Sequence, residues 1–129
     1  MNIFVVYGSS YIGATIFYFL SKVHNGHIIG QSRKAETAIR MMSEKEPEIV
    51  IIDVDLLNGM WEEVLQWSKR LPRVPLVVMI GPNSTAHYRT TCLKNGADFF
   101  FELPSEIEYL QKTINEFINR SFDRENVKT

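Results

Sequence analysis

The sequence predicts an α/β fold, a single doubly wound five-stranded parallel sheet with helices on both faces. Three observations carry this expectation. The apolar runs at 3–6, 49–52, 76–80 and 99–101 show no polar alternation, which is the mark of strands covered on both sides. Each run leads into a stretch with helical spacing, so strand and helix alternate five times, and a right-handed crossover carries one helix per step. Breakers stand at the junctions, among them Asn25-Gly26, Pro47, Pro72, Gly81-Pro82, Asn95-Gly96 and Pro104.

The first strand, Ile3 to Val6, ends at Tyr7-Gly8-Ser9-Ser10, where Ser9 or Ser10 can cap a helix from about Tyr11 to His24. Ile12, Ile16, Phe19, Leu20 and Val23 recur at helical spacing on it. A short second strand, His27 to Gly30, is weakened by its glycine. Ser32 can cap a helix from Lys34 to Lys45 with Ala38, Ile39, Met41 and Met42 inward, and Pro47 leads into the third strand, which ends at Asp53. After the loop from Val54 to Gly59, a helix from Met60 to Arg70 carries Val64, Leu65 and Trp67 inward and leaves Trp61 near the Asp53 loop, free to cover it or meet a partner. The fourth strand runs from Pro75 to Ile80, and Ser84 or Thr85 can cap a helix that Asn95-Gly96 closes in left-handed fashion after Lys94. The fifth strand spans Asp98 to Phe101, and Glu102-Leu103-Pro104 reads as a loop. Ser105 and Glu108 have capping-box spacing before a last helix that runs to about Arg120. Residues 121–129 read as a polar, frayed tail.

Composition narrows the function. In 129 residues, 45% hydrophobic and 22% charged, there is a core for one domain. A net charge of −1 provides no basic field for phosphate backbones, which argues against nucleic-acid binding. The apolar stretch from Ile12 to Val23 is interrupted by Ser21-Lys22 and is too short to span a bilayer, so no membrane insertion is expected. The single Cys92 excludes an internal disulfide and a cysteine metal cage, and the N-terminus lacks a signal-peptide charge pattern; a cytoplasmic location follows as the expectation. His24, His27 and His87 show no metal-ligand spacing.

Ligands of open α/β sheets bind outside the carboxyl ends of the strands. Five loops meet there, offering Tyr7-Gly8-Ser9, Ser32-Arg33, Asp53-Val54-Asp55, Gly81-Pro82-Asn83 and Glu102-Leu103-Pro104. Asp53 ends the central strand and is the candidate for chemistry; the plainer reading is a turn-forming Asp.

Pro47-Glu48, Asp53-Val54, Gly59-Met60, Pro75, Gly96-Ala97-Asp98 and Pro104 resemble, in their order and spacing, the receiver domains of response regulators over residues 2–120. The resemblance implies the flavodoxin-like receiver topology, strand order 2-1-3-4-5, with residues 1–120 as the receiver-like domain. It implies a phosphoprotein of two-component phosphorelay signalling, not an enzyme, with Asp53 at the phosphoacceptor position and a histidine kinase or phosphotransfer protein as donor. It also implies a protein partner or homodimer through the fourth helix, fifth strand and fifth helix.

Against that pattern the site is depleted. The acidic pair of the family falls on Tyr7-Gly8, with Ser9 next; its lysine falls on Leu103; its hydroxyl residue falls on Ile80 or Gly81; its strand-five aromatic falls on Phe100. Oxygen ligands for Mg²⁺ reduce to Asp53 and Asp55, with Glu102 nearby, so cation binding is expected to be weak or absent. Without the lysine, nothing neutralises a phosphoryl transition state, and Asp53 is expected to be phosphorylated poorly or not at all by the usual route. The competing class is a pseudo-receiver, a docking or dimerisation module that needs no phosphorylation. A third reading comes from Val6 to Gly13 with Gly26 to Gly30, which resemble the opening of nucleotide-sugar epimerases. The glycine spacing is one residue short and Gln31-Ser32-Arg33 holds no ribose-binding acid, which leaves a phosphate or small anion at Gly8-Ser9-Ser10 as the form this reading takes.

Overall fold

Aliphatic and aromatic runs with no polar alternation can be satisfied only between two helical layers, and the chain builds that arrangement. The computed structural model describes residues 1–56, 59–82 and 85–127, with side chains described through Asp123. The strands are β1 (Asn2–Val6), β2 (His27–Ser32), β3 (Ile49–Asp53), β4 (Leu76–Pro82) and β5 (Phe99–Leu103). The helices are α1 (Ser10–Leu20), α2 (Ala35–Lys45), α3 (Trp61–Lys69), α4 (Tyr88–Lys94) and α5 (Ile107–Val127). All pairings are parallel, in the order β2-β1-β3-β4-β5. That is the expected 2-1-3-4-5 doubly wound topology.

Period-two alternation sorts each strand between two cores. Phe4, Val6, Val50, Ile52, Val77, Met79 and Phe100 pack with Ala38, Met42, Val64 and Leu65 from α2 and α3. Ile3, Val5, Ile49, Ile51, Val78, Ile80, Phe101 and Leu103 pack with Ile12, Ile16, Leu110 and Ile114 from α1 and α5. β3 is buried along its whole length, Asp53 included. Each such apolar side chain contributes about 1.5–3 kcal/mol on leaving water. Cys92 belongs to the first core, and burial, with Glu62 adding, pushes its thiol up to about 11, the state of a packed rather than reactive cysteine.

Several boundaries differ from the sequence reading. α1 ends at Leu20 instead of His24, where the Ser21 hydroxyl donates to the Tyr18 carbonyl; Val23 still packs, but from the turn. β2 continues past Gly30 to Ser32, because that glycine leaves room for the Phe4 ring. Lys34, not Ser32, occupies the N-cap of α2; the Ser32 hydroxyl is spent on the Lys34 backbone. Ile39 is half-buried and lies in a groove with α3. α4 begins after His87, and the Thr85 hydroxyl turns back to the Pro82 carbonyl; Ser84 lies outside the described residues. Gly96 at φ +104° closes α4 with its N–H on Leu93 and Ala97 on Cys92, as expected. Glu102 and Leu103 belong to β5 rather than a loop. α5 starts at Ile107 and runs to Val127, so the stretch after Arg120 is helical where a frayed tail was expected.

The two tryptophans exchange their expected roles. Trp61 is 5% exposed and Trp67 40% exposed. Residues 61, 64, 65 and 68 share the inward stripe of α3, and 67 falls off it. Trp61 meets Tyr88 edge to face at 6.1 Å, tying α3 to α4, whereas Trp67 lies over α2 and donates from its indole to the Ser43 hydroxyl at 2.9 Å.

Candidate functional site

The Asp53 corner is closed by backbone. Asp53 is 0% exposed. Its Oδ1 accepts from the Asp55 N–H at 2.9 Å, the two-residue return bond of a turn-forming Asp. Its Oδ2 accepts from the Gly8 N–H at 2.9 Å, across 45 residues of chain. Burial pushes the carboxyl above its ordinary range and the Asp55 charge adds to that; the N–H bonds from Asp55, Gly8 and Ser9 pull it back only in part.

Gly8 reaches Asp53 because it has no side chain. A Cβ there would stand 1.6 Å from the Asp55 carbonyl oxygen, so the loop after β1 lies directly on the loop after β3. The Gly8 carbonyl in turn accepts from Arg33 Nη2 at 2.6 Å and Nε at 3.2 Å. Tyr7 turns away from Asp53 to α1. Its ring meets Phe17 edge-on at 5.5 Å, presses on Gly13 where no Cβ would fit, and lies 5.6 Å from the Arg33 guanidinium carbon. Ser9 caps α1 by accepting the Ile12 N–H at 3.1 Å. Gly8, of the Gly8-Ser9-Ser10 anion reading, and Gly13, of the epimerase-like glycine spacing, thus answer to packing against Asp55 and Tyr7, and the Gly8 and Ile12 donors already have acceptors inside the chain.

The remaining positions are apolar. Ile80 pairs with Asp53 across β3 and β4 and is fully buried. At Gly81 the space for a side chain is filled by the Thr85 hydroxyl and Val54, so a hydroxyl does return to this position, from four residues further on, but bonded to the Pro82 carbonyl. Leu103 is 1% exposed in the α1 and α5 core. Asp55 lies on the surface. The carboxylates at this corner are Asp53, with both oxygens engaged by N–H groups, and Asp55; among the described residues there is no cluster of three His, Cys, Asp or Glu that could hold a metal ion.

Phe100 lies on the opposite sheet face and is 2% exposed. Arg89 of α4 stands over its ring at 5.3 Å, donates to its carbonyl at 2.8 Å, and pairs with Glu106 at 2.6 Å. Glu106 Oε1 also accepts the Glu102 N–H at 2.8 Å. Partial burial acts to raise the Glu106 carboxyl, but the Glu102 N–H and the Arg89 hydrogen bond and charge outweigh it and lower it. Nothing local in the sequence marks Arg33, Arg89 or Glu106, whose partners lie 25, 11 and 17 residues away.

The doubly wound order finds its counterpart in solved structures. The chain has the receiver fold. The signal receiver domain of a LuxO repressor protein from Vibrio parahaemolyticus superposes with a TM-score of 0.79 at 17% identity, covering 99% of this chain and 97% of that one. The response regulator domain of Thermotoga maritima CheB gives 0.73 at 17% identity, covering 95% and 96%. NtrX from Brucella abortus gives 0.74 at 18% identity over 98% of this chain, which spans only 29% of the length of NtrX. No protein-family model matches the sequence. Among the described residues no helix is long and apolar enough to cross a membrane.

Proposed function

We propose that the chain is a receiver-fold signalling module of the two-component type that acts through protein contacts, with Asp53 retained as a structural keystone instead of a phosphoacceptor. The observation that carries this reading is the state of the Asp53 carboxylate. It is fully buried, both oxygens accept backbone N–H groups, and among the described residues no ion pair reaches it. An in-line phosphoryl donor needs an exposed oxygen and compensating positive charge. The chain offers Tyr7, Gly8 and Leu103 at the corresponding places.

The face for partners is the one formed by α4, β5 and α5. Phe99 is 39% exposed and stacks on Phe101 at 5.9 Å, and Arg89 bolts α4 to the β5 backbone and to Glu106. A face held in one arrangement suits constitutive docking or homodimerisation. The test is incubation with acetyl phosphate and Mg²⁺ followed by intact mass, with Asp53→Asn as control. The proposal expects no phosphorylated species; an 80-Da adduct (the mass of one phosphoryl group, about 80 Da) that Asp53→Asn abolishes would restore phosphotransfer as the function.

A further inference from the structure

We propose that Arg33 is the latch that keeps Asp53 sealed, acting through the backbone of Gly8. The inference rests on the reading of Asp53 as a silent carboxylate and names the residue that silences it. Gly8 is gripped from both ends: its N–H lies on Asp53 Oδ2 at 2.9 Å, and its carbonyl accepts two N–H groups of one guanidinium, at 2.6 and 3.2 Å. The ion pairs among the described residues are Lys69 with Asp98 and Arg89 with Glu106, so Arg33 directs its fork to a neutral carbonyl. A guanidinium placed on a carbonyl in this way fixes that carbonyl in direction as well as distance.

The latch is itself aimed. The Ser32 hydroxyl accepts the Lys34 N–H at 3.1 Å and donates to the Lys34 carbonyl at 2.9 Å, which sets the turn that presents Arg33. The Tyr7 ring, anchored on Phe17, lies 5.6 Å from the guanidinium carbon and gives it a second surface. Three loops, after β1, β2 and β3, therefore meet at Gly8. Without Arg33, the Gly8 carbonyl loses its two guanidinium donors while the Tyr7 N–H stays on the Ser32 carbonyl and the Gly8 N–H on Asp53, and Gly8 swings off the carboxylate more often. Arg33 is a positioning residue: it does not touch Asp53.

The test compares the wild-type chain with Arg33→Ala and Arg33→Lys. Two rates are read: amide exchange of Gly8 by NMR, and labelling of Asp53 by carbodiimide with glycinamide, followed by peptide mass with the exposed Glu36 as internal reference. Arg33→Ala is expected to raise both by roughly tenfold, the factor expected from losing a charge-assisted hydrogen bond. The β3 amides of Ile51 and Ile52 should stay protected, and Arg33→Lys, which keeps a single point of charge, should fall between. Unchanged rates in folded Arg33→Ala would overturn the latch, as would an equal rise across β3, which would mean general loosening. Should Arg33→Ala fail to fold, Arg33→Lys decides: wild-type rates at Gly8 and Asp53 overturn the proposal. Acetyl phosphate labelling of the wild-type chain tests the silence of Asp53 separately, so either claim can fail while the other stands.

Discussion

Asp53 and Glu106 do the same mechanical task in different electrical surroundings. Each carboxylate takes the backbone N–H of a neighbouring segment: Asp53 that of Gly8, Glu106 that of Glu102. Glu106 also has the Arg89 guanidinium at 2.6 Å and lies partly in water, and its carboxyl titrates below its ordinary range. Asp53 has N–H groups of Asp55, Gly8 and Ser9, is fully buried and has no ion pair among the described residues, and its carboxyl lies above its ordinary range. Burial is the larger influence at Asp53 and outweighs its N–H bonds, whereas at the partly exposed Glu106 the Glu102 N–H and then Arg89 together outweigh it. The corner that resembles a phosphotransfer site is buried and closed by backbone, and the ion-paired corner lies on the α4, β5 and α5 face.

The largest expected effect tests the seal. Gly8→Ala puts a Cβ 1.6 Å from the Asp55 carbonyl, against backbone that cannot yield as a flexible side chain could. It should lower unfolding stability in urea by about 3 kcal/mol. Gly59→Ala is the contrast: φ is +63° but nothing lies within 4 Å, so its cost should be about 1 kcal/mol. Equal costs would mean that the two loops are not in close contact.

Next in size is the loss of either carboxylate. Asp53→Ala leaves the Gly8 and Asp55 N–H groups without their acceptor and should cost about 2 kcal/mol. The isosteric variants test the direction of titration. The folded state raises Asp53 above its ordinary 3.8, so the proton it binds stabilises the fold fully below that value, and the contribution is lost as pH rises through the raised value. Glu106 is lowered below its ordinary 4.5, so its contribution is full above that value and is lost as pH falls through the lowered one. In urea unfolding from pH 3 to 8, Asp53→Asn should gain on the wild type as pH rises and Glu106→Gln should lose on it. Slopes of the same sign would remove the contrast between the two corners.

The smallest effect is expected at Arg89. Its side chain is 39% exposed, so solvent screens the pair with Glu106, and Arg89→Ala should cost about 1 kcal/mol, divided between that pair and the Phe100 carbonyl. Its mark should be sharper in the α4 amide shifts than in stability.

The strands and the parallel sheet are legible in unbroken apolar runs and strict alternation, β3 to its last residue, and the strand order follows from the resemblance to receiver domains. The ends of helices were less so. α1 stops early through a serine side-chain bond and α5 continues through a polar stretch, both choices made by local hydrogen bonding that hydropathy does not register. Trp67 is large and apolar, which suggests core, but its phase on α3 takes it off the inward stripe of residues 61, 64, 65 and 68. At the site, the residues that Asp53 lost were visible by their absence, and Tyr7, Gly8, Ile80, Gly81 and Leu103 all lie near the expected strand ends. What closed the site was not visible: a Gly8 N–H, an Arg33 fork and a Thr85 hydroxyl act through backbone atoms or over long separations, and such contacts leave no spacing to read.

The central claim is that Asp53 holds loops together and does not accept a phosphoryl group. Titration of the isotope-labelled chain with beryllium fluoride and millimolar Mg²⁺, followed by amide NMR, tests it most directly. The account predicts unchanged shifts at Gly8, Asp53, Asp55 and Phe100. Saturable shifts at Gly8, Asp53 and Phe100 that vanish in Asp53→Asn would contradict it.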